Sequence, residues 1–133
     1  MSRPADTDSD RELIEAARAA IQRNYDTVHE NYTVGAAVRC ASGKVYVGVN
    51  VYSLHRSCSE CITIGAAVTA CEREFVALAC VRGANGDELL PPCGNCWQML
   101  NDYAPDCEVI VSGESGLMAV IARELLPFAY RVE

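Results

Sequence analysis

The chain has 133 residues, half of them hydrophobic, and a formal net charge of −7 at pH 7. This length suits one domain with one core, and the acidic charge disfavours nucleic-acid phosphates as partners. No apolar run approaches the eighteen or more residues of a membrane helix, and the start has no hydrophobic signal region. We therefore expect a single cytoplasmic domain over residues 1–133, frayed over residues 1–7, that binds neither nucleic acid nor membranes.

The first half of the chain predicts a helix followed by a β-hairpin. The segment SDRELIEAARAAIQRNY opens with the capping-box pair Ser9 and Glu12. Its apolar residues recur at helical spacing and mark one buried face, formed by Leu13, Ile14, Ala17, Ala20 and Ile21. The segment YTVGAAVRCASGKVYVGVNVY then reads as two strands joined by a turn at residues 42–43.

The second half alternates helices and strands. CSECITIGAAVTACERE is apolar nearly all round and predicts a helix against a sheet, and EFVALACVRG contains a strand-length apolar run. PPCGNCWQMLNDYA predicts a third helix that begins after its prolines, and CEVIVSG and LMAVIA predict two more strands. This order predicts an α/β fold with helices on the faces of the sheet and parallel crossovers in the second half.

Four of the eight cysteines form two C-x-x-C pairs, Cys58 with Cys61 and Cys93 with Cys96. In a cytoplasmic chain such pairs indicate metal binding rather than disulfides. Two zinc sites are compatible with this spacing. All four cysteines would form a closed structural site, whereas Cys58, Cys93 and Cys96 alone would leave a fourth tetrahedral position open for water.

The surroundings of the two pairs favour the open site. Both pairs fall where helices are predicted to begin, and helix N-termini stabilise thiolates and lower their pKa. Glu60 lies two residues after Cys58, where it can act as a general acid and base toward a metal-activated water. The stretch between Cys61 and Cys93 is also longer than in common zinc ribbons. The alternatives left open are a non-catalytic protein with a closed four-cysteine zinc site and a thiol redox protein.

These motifs resemble those of the zinc-dependent cytidine and blasticidin-type deaminases, which combine [C/H]-x-E with a P-C-x-x-C about thirty residues later. Here the two motifs are CSE at 58–60 and PCGNC at 92–96. The resemblance extends over nearly the whole chain through YTVGAAV, GKVYVGVNVY and RELLPFAY. Within the family, GVNVY and RELLP look most like the blasticidin-type members.

The resemblance implies a three-layer α/β/α sandwich with a five-stranded mixed sheet, assembled as a homotetramer. It implies zinc held by Cys58, Cys93 and Cys96, with Glu60 as the proton shuttle. The implied reaction is hydrolytic deamination of a cytosine-type base in a small nucleoside or nucleoside analogue. Backbone groups of Ser59 and Pro92 are expected to hold the base, and Tyr130 is expected to close the pocket.

One departure from the family pattern concerns the substrate. Cytidine deaminases usually carry N-x-E at the end of this strand, where the Asn and Glu bind ribose hydroxyls, whereas this chain has Asn50-Val51-Tyr52. Tyr52 cannot accept two hydroxyl hydrogen bonds as a carboxylate does, and the loss of such contacts changes specificity strongly. A substrate of the blasticidin type is therefore expected, with cytidine or deoxycytidine salvage as the alternative.

A second departure concerns charge. Zinc with three thiolates is net negative, and relatives often place an Arg after the catalytic Glu or beside the last Cys. Cys61, Asn95 and Trp97 occupy those positions here. We expect Arg56 or His55 to supply the compensating charge.

Overall fold

The computed structural model describes residues 2–54 and 56–130. The strands within them are β1 Ser2–Pro4, β2 Val34–Cys40, β3 Val45–Val49, β4 Val51–Tyr52, β5 Arg56–Ser57, β6 Phe75–Arg82, β7 Glu88–Leu89, β8 Glu108–Gly113 and β9 Gly116–Ile121. The helices are α1 Asp8–Gln22, α2 Ser59–Thr69 and α3 Gly94–Tyr103, with a short 3₁₀ helix at Ala122–Glu124. No helix in this part of the chain combines the length and apolar character needed to cross a membrane.

The main sheet is mixed and has the strand order β1-β9-β8-β6-β2-β3, with β7 paired to β6. β6 and β8 are parallel and are joined through α3, which confirms the predicted crossover. The expected count of five strands is wrong, because the sheet has seven. Five of them are the predicted strands, and the two additions, β1 and β7, contain only three and two residues, too short for a periodic pattern.

Helices cover both faces of this sheet, so the predicted three-layer α/β/α architecture is confirmed. The apolar face of α1 packs with alternate sheet residues such as Ala37 and Ala79. The intervening residues Val38 and Leu78 point to the opposite face, where they pack with residues of α2 and α3. The two layers follow from the alternation of side chains along a strand. The two-stranded ribbon of β4 and β5 lies outside this sheet.

The start of the chain differs from the prediction. Instead of fraying, Ser2–Pro4 pair antiparallel with β9. The capping box of α1 is formed by Thr7 and Asp10, two residues before the predicted pair: the Thr7 hydroxyl accepts from the Asp10 amide, and the Asp10 carboxylate accepts from the Thr7 amide. Arg3 fixes both features, since its guanidinium donates to the carboxylates of Asp10 and Glu108.

Glycine at position 48 lets α2 lie directly on the sheet. A Cβ there would stand 2.7 Å from the Thr63 hydroxyl oxygen and 3.0 Å from the Thr63 amide nitrogen. Because Thr63 is in α2 and fully buried, this contact sets how closely the helix approaches β3. The contact between Gly48 and Thr63 thereby also positions the beginning of α2, which carries part of the predicted site.

Gly48→Ala should therefore lower the free energy of unfolding by about 1–3 kcal/mol, the usual cost of overpacking. Gly65→Ala is the matched control, since a Cβ at this exposed position in α2 meets nothing within 4 Å. It should stabilise the helix by about 0.5–1 kcal/mol. Urea denaturation of both variants tests this close approach, and equal effects of the two substitutions would contradict it.

The buried Asp10 carboxyl should give the fold a measurable acid dependence. Hydrogen bonds from Arg3 hold the pKa of Asp10 at about 2, below its ordinary value of 3.8. The stabilisation that Arg3 provides is therefore complete above about pH 4 and is lost as the pH falls toward 2. We expect Arg3→Met to cost about 2 kcal/mol at pH 7 and the difference from the unsubstituted protein to shrink below pH 4.

The control for this experiment is Arg11→Met, which removes an exposed ion pair with Asp8 and should cost less than about 0.5 kcal/mol. Chemical denaturation at several pH values gives both differences. A constant Arg3→Met effect between pH 7 and pH 2.5 would contradict the assignment.

Candidate metal and active site

Two helix N-termini bring three cysteine sulfurs together. Cys58 is the N-cap residue of α2 and Cys93 is the N-cap residue of α3, and neither side chain caps its own helix. Cys96 follows one turn into α3 and is fully buried. The Sγ atoms of Cys58 and Cys93 are 3.7 Å apart and those of Cys93 and Cys96 are 3.6 Å apart, and all three sulfurs lie within 4.8 Å of one another.

This cluster has the dimensions of a zinc site. Tetrahedral zinc with Zn–S bonds of about 2.3 Å separates its sulfur ligands by about 3.8 Å. The sulfur distances of 3.6 and 3.7 Å are close to that value. Three cysteine sulfurs at helix starts, two pairs of them at this spacing and all within 4.8 Å, therefore fit the ligand set of a zinc ion.

Two of these thiols, those of Cys58 and Cys96, have a raised pKa. Burial raises the pKa of Cys58 to about 11, and a hydrogen bond with Cys61 together with burial raises the pKa of Cys96 above its ordinary range. For Cys58 the pKa is raised rather than lowered as expected, and the largest cause is the loss of water around the thiol. A bound divalent cation supplies the opposite charge that such buried sulfurs need in order to lose their protons.

Cys61 lies outside the three-sulfur cluster. It lines a separate groove between α2 and α3, beside residues such as Ile64 and Val68. Its hydrogen bond with Cys96 lowers its own pKa to about 7. This placement favours the open three-cysteine arrangement over the closed four-cysteine one.

Glu60 lies in the first turn of α2 and is only 3% exposed. The hydroxyl of Ser59 donates to Glu60 Oε1 over 2.9 Å and lies 3.4 Å from the sulfur of Cys80. The Ser59 side chain thus holds the Glu60 carboxylate in place, and the expected contact between its backbone and the base stays a prediction.

A cavity of about 170 Å³ opens onto the carboxylate and two of the sulfurs. It is lined by Val34, Tyr52, Cys58, Ser59, Glu60, Leu90, Pro91 and Cys93. The chemistry-bearing residues form one wall, and Val34, Leu90 and Pro91 supply an apolar wall that the sequence analysis did not identify. Of the two adjacent prolines, Pro91 lines the cavity and Pro92, the predicted one, is buried.

Asn50 and Tyr52 have different surroundings. Tyr52 lines the cavity, and burial followed by the nearby Cys58 raises the pKa of its phenol. The Asn50 side chain is fully buried: its oxygen accepts from the amides of Thr33 and Val34, and its nitrogen donates to the carbonyl of Asn31. Asn50 therefore fastens the segment that brings Val34 to the cavity, and it is not among the lining residues.

The remaining predicted residues lie further out. Tyr130 is 75% exposed, and its carbonyl accepts from Gln98 Nε2; it does not line the cavity. The Arg56 guanidinium carbon lies 4.8 Å from the centroid of the Tyr52 ring. His55 lies outside the described residues.

Replacing single cysteines by serine should distinguish the cysteines that bind zinc from those that do not. We expect Cys96→Ser, and likewise Cys58→Ser and Cys93→Ser, to lower bound zinc well below one equivalent, because a neutral hydroxyl is a much poorer ligand than a thiolate. Cys61→Ser should retain one equivalent. Elemental analysis of the dialysed proteins gives the stoichiometry, and loss of zinc in Cys61→Ser would contradict the three-ligand site.

Comparisons with known proteins identify the family of the chain. No protein-family model matches the chain. It is 32% identical to blasticidin-S deaminase of Bacillus cereus over 130 residues, which cover 91% of each chain. It is also 32% identical to a cytidine deaminase of Halalkalibacterium halodurans, covering 79% of this chain and 82% of the relative.

Solved structures give the same result for the fold. The cytidine deaminase of Mycobacterium tuberculosis superposes with a TM-score of 0.76 at 27% identity, covering 96% of this chain and all of that one. The cytidine deaminase of Mycobacterium leprae superposes with a TM-score of 0.72 at 32% identity, covering 92% and 99%.

Proposed function

Because the chain belongs to the cytidine deaminase superfamily, we propose that its cavity is the active site of a zinc-dependent hydrolytic deaminase acting on a cytosine-type base in a small nucleoside or nucleoside analogue. The observation that carries this proposal is the cluster of three sulfurs at zinc-ligand spacing beside the buried carboxylate of Glu60. Cys58, Cys93 and Cys96 hold the metal.

The reaction exchanges the exocyclic amino group of the base for the oxygen of a water molecule and releases ammonia. When held by the three cysteine sulfurs, zinc would supply a water molecule whose pKa is lowered toward 7. Glu60 would accept one proton from this water and deliver it to the ring nitrogen, and would then carry the remaining proton, from the new hydroxyl group on the carbon, to the departing amine as its C–N bond breaks. No net proton is gained or lost by Glu60 over the cycle.

The other cavity residues position these partners. The Ser59 hydroxyl fixes Glu60 Oε1, which keeps the carboxylate within reach of both proton sites. Val34, Leu90 and Pro91 offer apolar contacts to the flat base and exclude bulk water from the reacting centre. Pro92, buried behind Pro91, keeps the backbone that leads into Cys93 in place.

Tyr52 favours a substrate unlike cytidine. The cavity residue that follows Asn50 by two positions is a phenol, which offers no carboxylate to a pair of ribose hydroxyls. We therefore propose blasticidin S, or a nucleoside analogue of that kind, as the preferred substrate. The similarity to cytidine deaminases supports cytidine or deoxycytidine as the second candidate.

We also propose that the enzyme works as a cytoplasmic homo-oligomer, in the arrangement of a homotetramer. An apolar groove of about 210 Å³ between α2 and α3, lined by residues such as Ile64, Val68 and Met99, is open to a second copy. Tyr130 is exposed and available to the cavity of a neighbouring subunit. The eight free cysteines support a reducing compartment.

Replacing Glu60 by Gln should abolish deamination while leaving the metal in place. The amide keeps the size of the side chain but cannot carry protons, so we expect kcat to fall by at least about 10²–10⁴-fold. An ultraviolet assay on zinc-loaded protein compares blasticidin S, cytidine, deoxycytidine and free cytosine.

Glu114→Gln is the control, because this exposed carboxylate lies between β8 and β9. Turnover of blasticidin S well above cytidine supports the substrate proposal, and the reverse order overturns it. Full activity in Glu60→Gln, or zinc-loaded protein that deaminates none of the four compounds, contradicts the proposed function.

A further inference from the structure

We propose that Arg56, stacked on Tyr52, forms a binding site for an anionic group, a carboxylate or phosphate, carried on the sugar side of the substrate. This inference rests on the proposed function and deepens it, because it assigns the substrate class to charged rather than neutral cytosine nucleosides.

The ribbon fixes Arg56 against the cavity wall. β4 and β5 are antiparallel, and Tyr52 is the direct cross-strand partner of Arg56. The guanidinium carbon lies 4.8 Å from the Tyr52 ring centroid, within the range of a cation–π contact. Tyr52 lines the cavity, and Ser57, which follows Arg56, leads directly into Cys58. Both strands of the ribbon therefore hold the positive charge of Arg56 near the cavity.

The order of burial gives the direction in which a substrate lies. Glu60, at 3% exposure, is at the inner end, Tyr52 is half-buried, and Arg56 is exposed. The amino-bearing carbon of the base has to reach Glu60 and the sulfurs, so the base occupies the inner end. Its sugar substituent then points outward, toward Tyr52 and Arg56.

Charge at the rim is available to a ligand. None of the described residues that line the cavity is basic. Arg82, on the strand pair that leads to Leu90, is held by Glu88 through two hydrogen bonds of 2.7 and 2.6 Å. Within 2–54 and 56–130, Arg56 has no such carboxylate partner: its contact is the Tyr52 ring. A stacked guanidinium keeps its N–H edges free for bidentate binding of a carboxylate or phosphate.

The test compares substrates that differ only in charge. Zinc-loaded full-length protein is assayed with a cytosine nucleoside that carries a 5′-carboxylate, its neutral 5′-carboxamide, cytidine and cytidine 5′-monophosphate. Charge-assisted hydrogen bonds predict a kcat/KM for an anionic compound roughly tenfold to a hundredfold above that of its neutral counterpart. Raising the salt concentration should reduce this ratio, because the site is exposed.

Substitutions assign the preference to Arg56. Arg56→Gln should bring the ratio of anionic to neutral substrate close to one, and Arg56→Lys should restore part of it, since a point charge replaces the planar fork. Arg23→Gln is the matched control: it removes the same charge from an exposed position at the end of α1, on the opposite face of the sheet. It should leave the ratio unchanged.

The results separate the inference from the function on which it rests. A preference for the carboxylate alone or the phosphate alone identifies the anion, and either supports the site. Deamination of neutral and anionic compounds at equal rates, or a preference that survives Arg56→Gln, overturns the inference and leaves the deaminase proposal standing. If no compound is deaminated, the deaminase proposal fails, and the anion site is then tested by calorimetric binding of the uridine 5′-carboxylate and its 5′-carboxamide. Equal affinities for the two compounds overturn the anion site. Tighter binding of the carboxylate that is lost in Arg56→Gln supports it.

Discussion

The site depends on the convergence of two helix N-termini at one point. Cys58 and Cys93 are 35 residues apart in the chain, yet their sulfurs nearly touch because α2 and α3 lie on the same face of the sheet and begin side by side. The glycine at position 48 allows α2 to approach the sheet closely, and the crossover through α3 joins the parallel strands β6 and β8. The fold thus supplies the spacing of the ligands before any metal arrives.

The same arrangement brings acidic groups together, two of which, Cys96 and Glu60, are buried. Two of the three sulfurs and the Glu60 carboxylate line the cavity, and burial is the largest cause of the raised pKa of the Cys58 thiol. Two helix N-termini, and the divalent cation that we propose, would offset the negative charge of these groups. The family resemblance implies an arginine at the position that Cys61 occupies here. If Arg56 instead offsets the negative charge of the sulfurs, as we predict, its positive charge acts from the rim of the cavity. There its charge also faces an incoming substrate.

Much of this site could be predicted from the sequence because it is local. The C-x-x-C spacing, with two prolines before the second pair, predicts helices that begin at Cys58 and Cys93. Both cysteines are N-cap residues in the structure. Features that depend on distant contacts could not be predicted. β1 is held in place by hydrogen bonds from Arg3 to Asp10 and Glu108. Asn50 is buried by hydrogen bonds with the segment before β2, at Thr33 and Asn31. The motif Asn50-Val51-Tyr52 carries no information about which polar side chain reaches the cavity, because β3 ends at Val49 and Asn50 is buried between two strands.

X-ray absorption at the zinc edge of the purified protein tests the central claim most directly. The open site predicts three sulfur neighbours at about 2.3 Å and one oxygen neighbour at about 2.0 Å, with the oxygen shell replaced or displaced when a substrate analogue binds. Four sulfur neighbours, with no lighter atom and no change on adding the analogue, would place Cys61 in the metal shell. That result would contradict the account of this cavity as a catalytic centre.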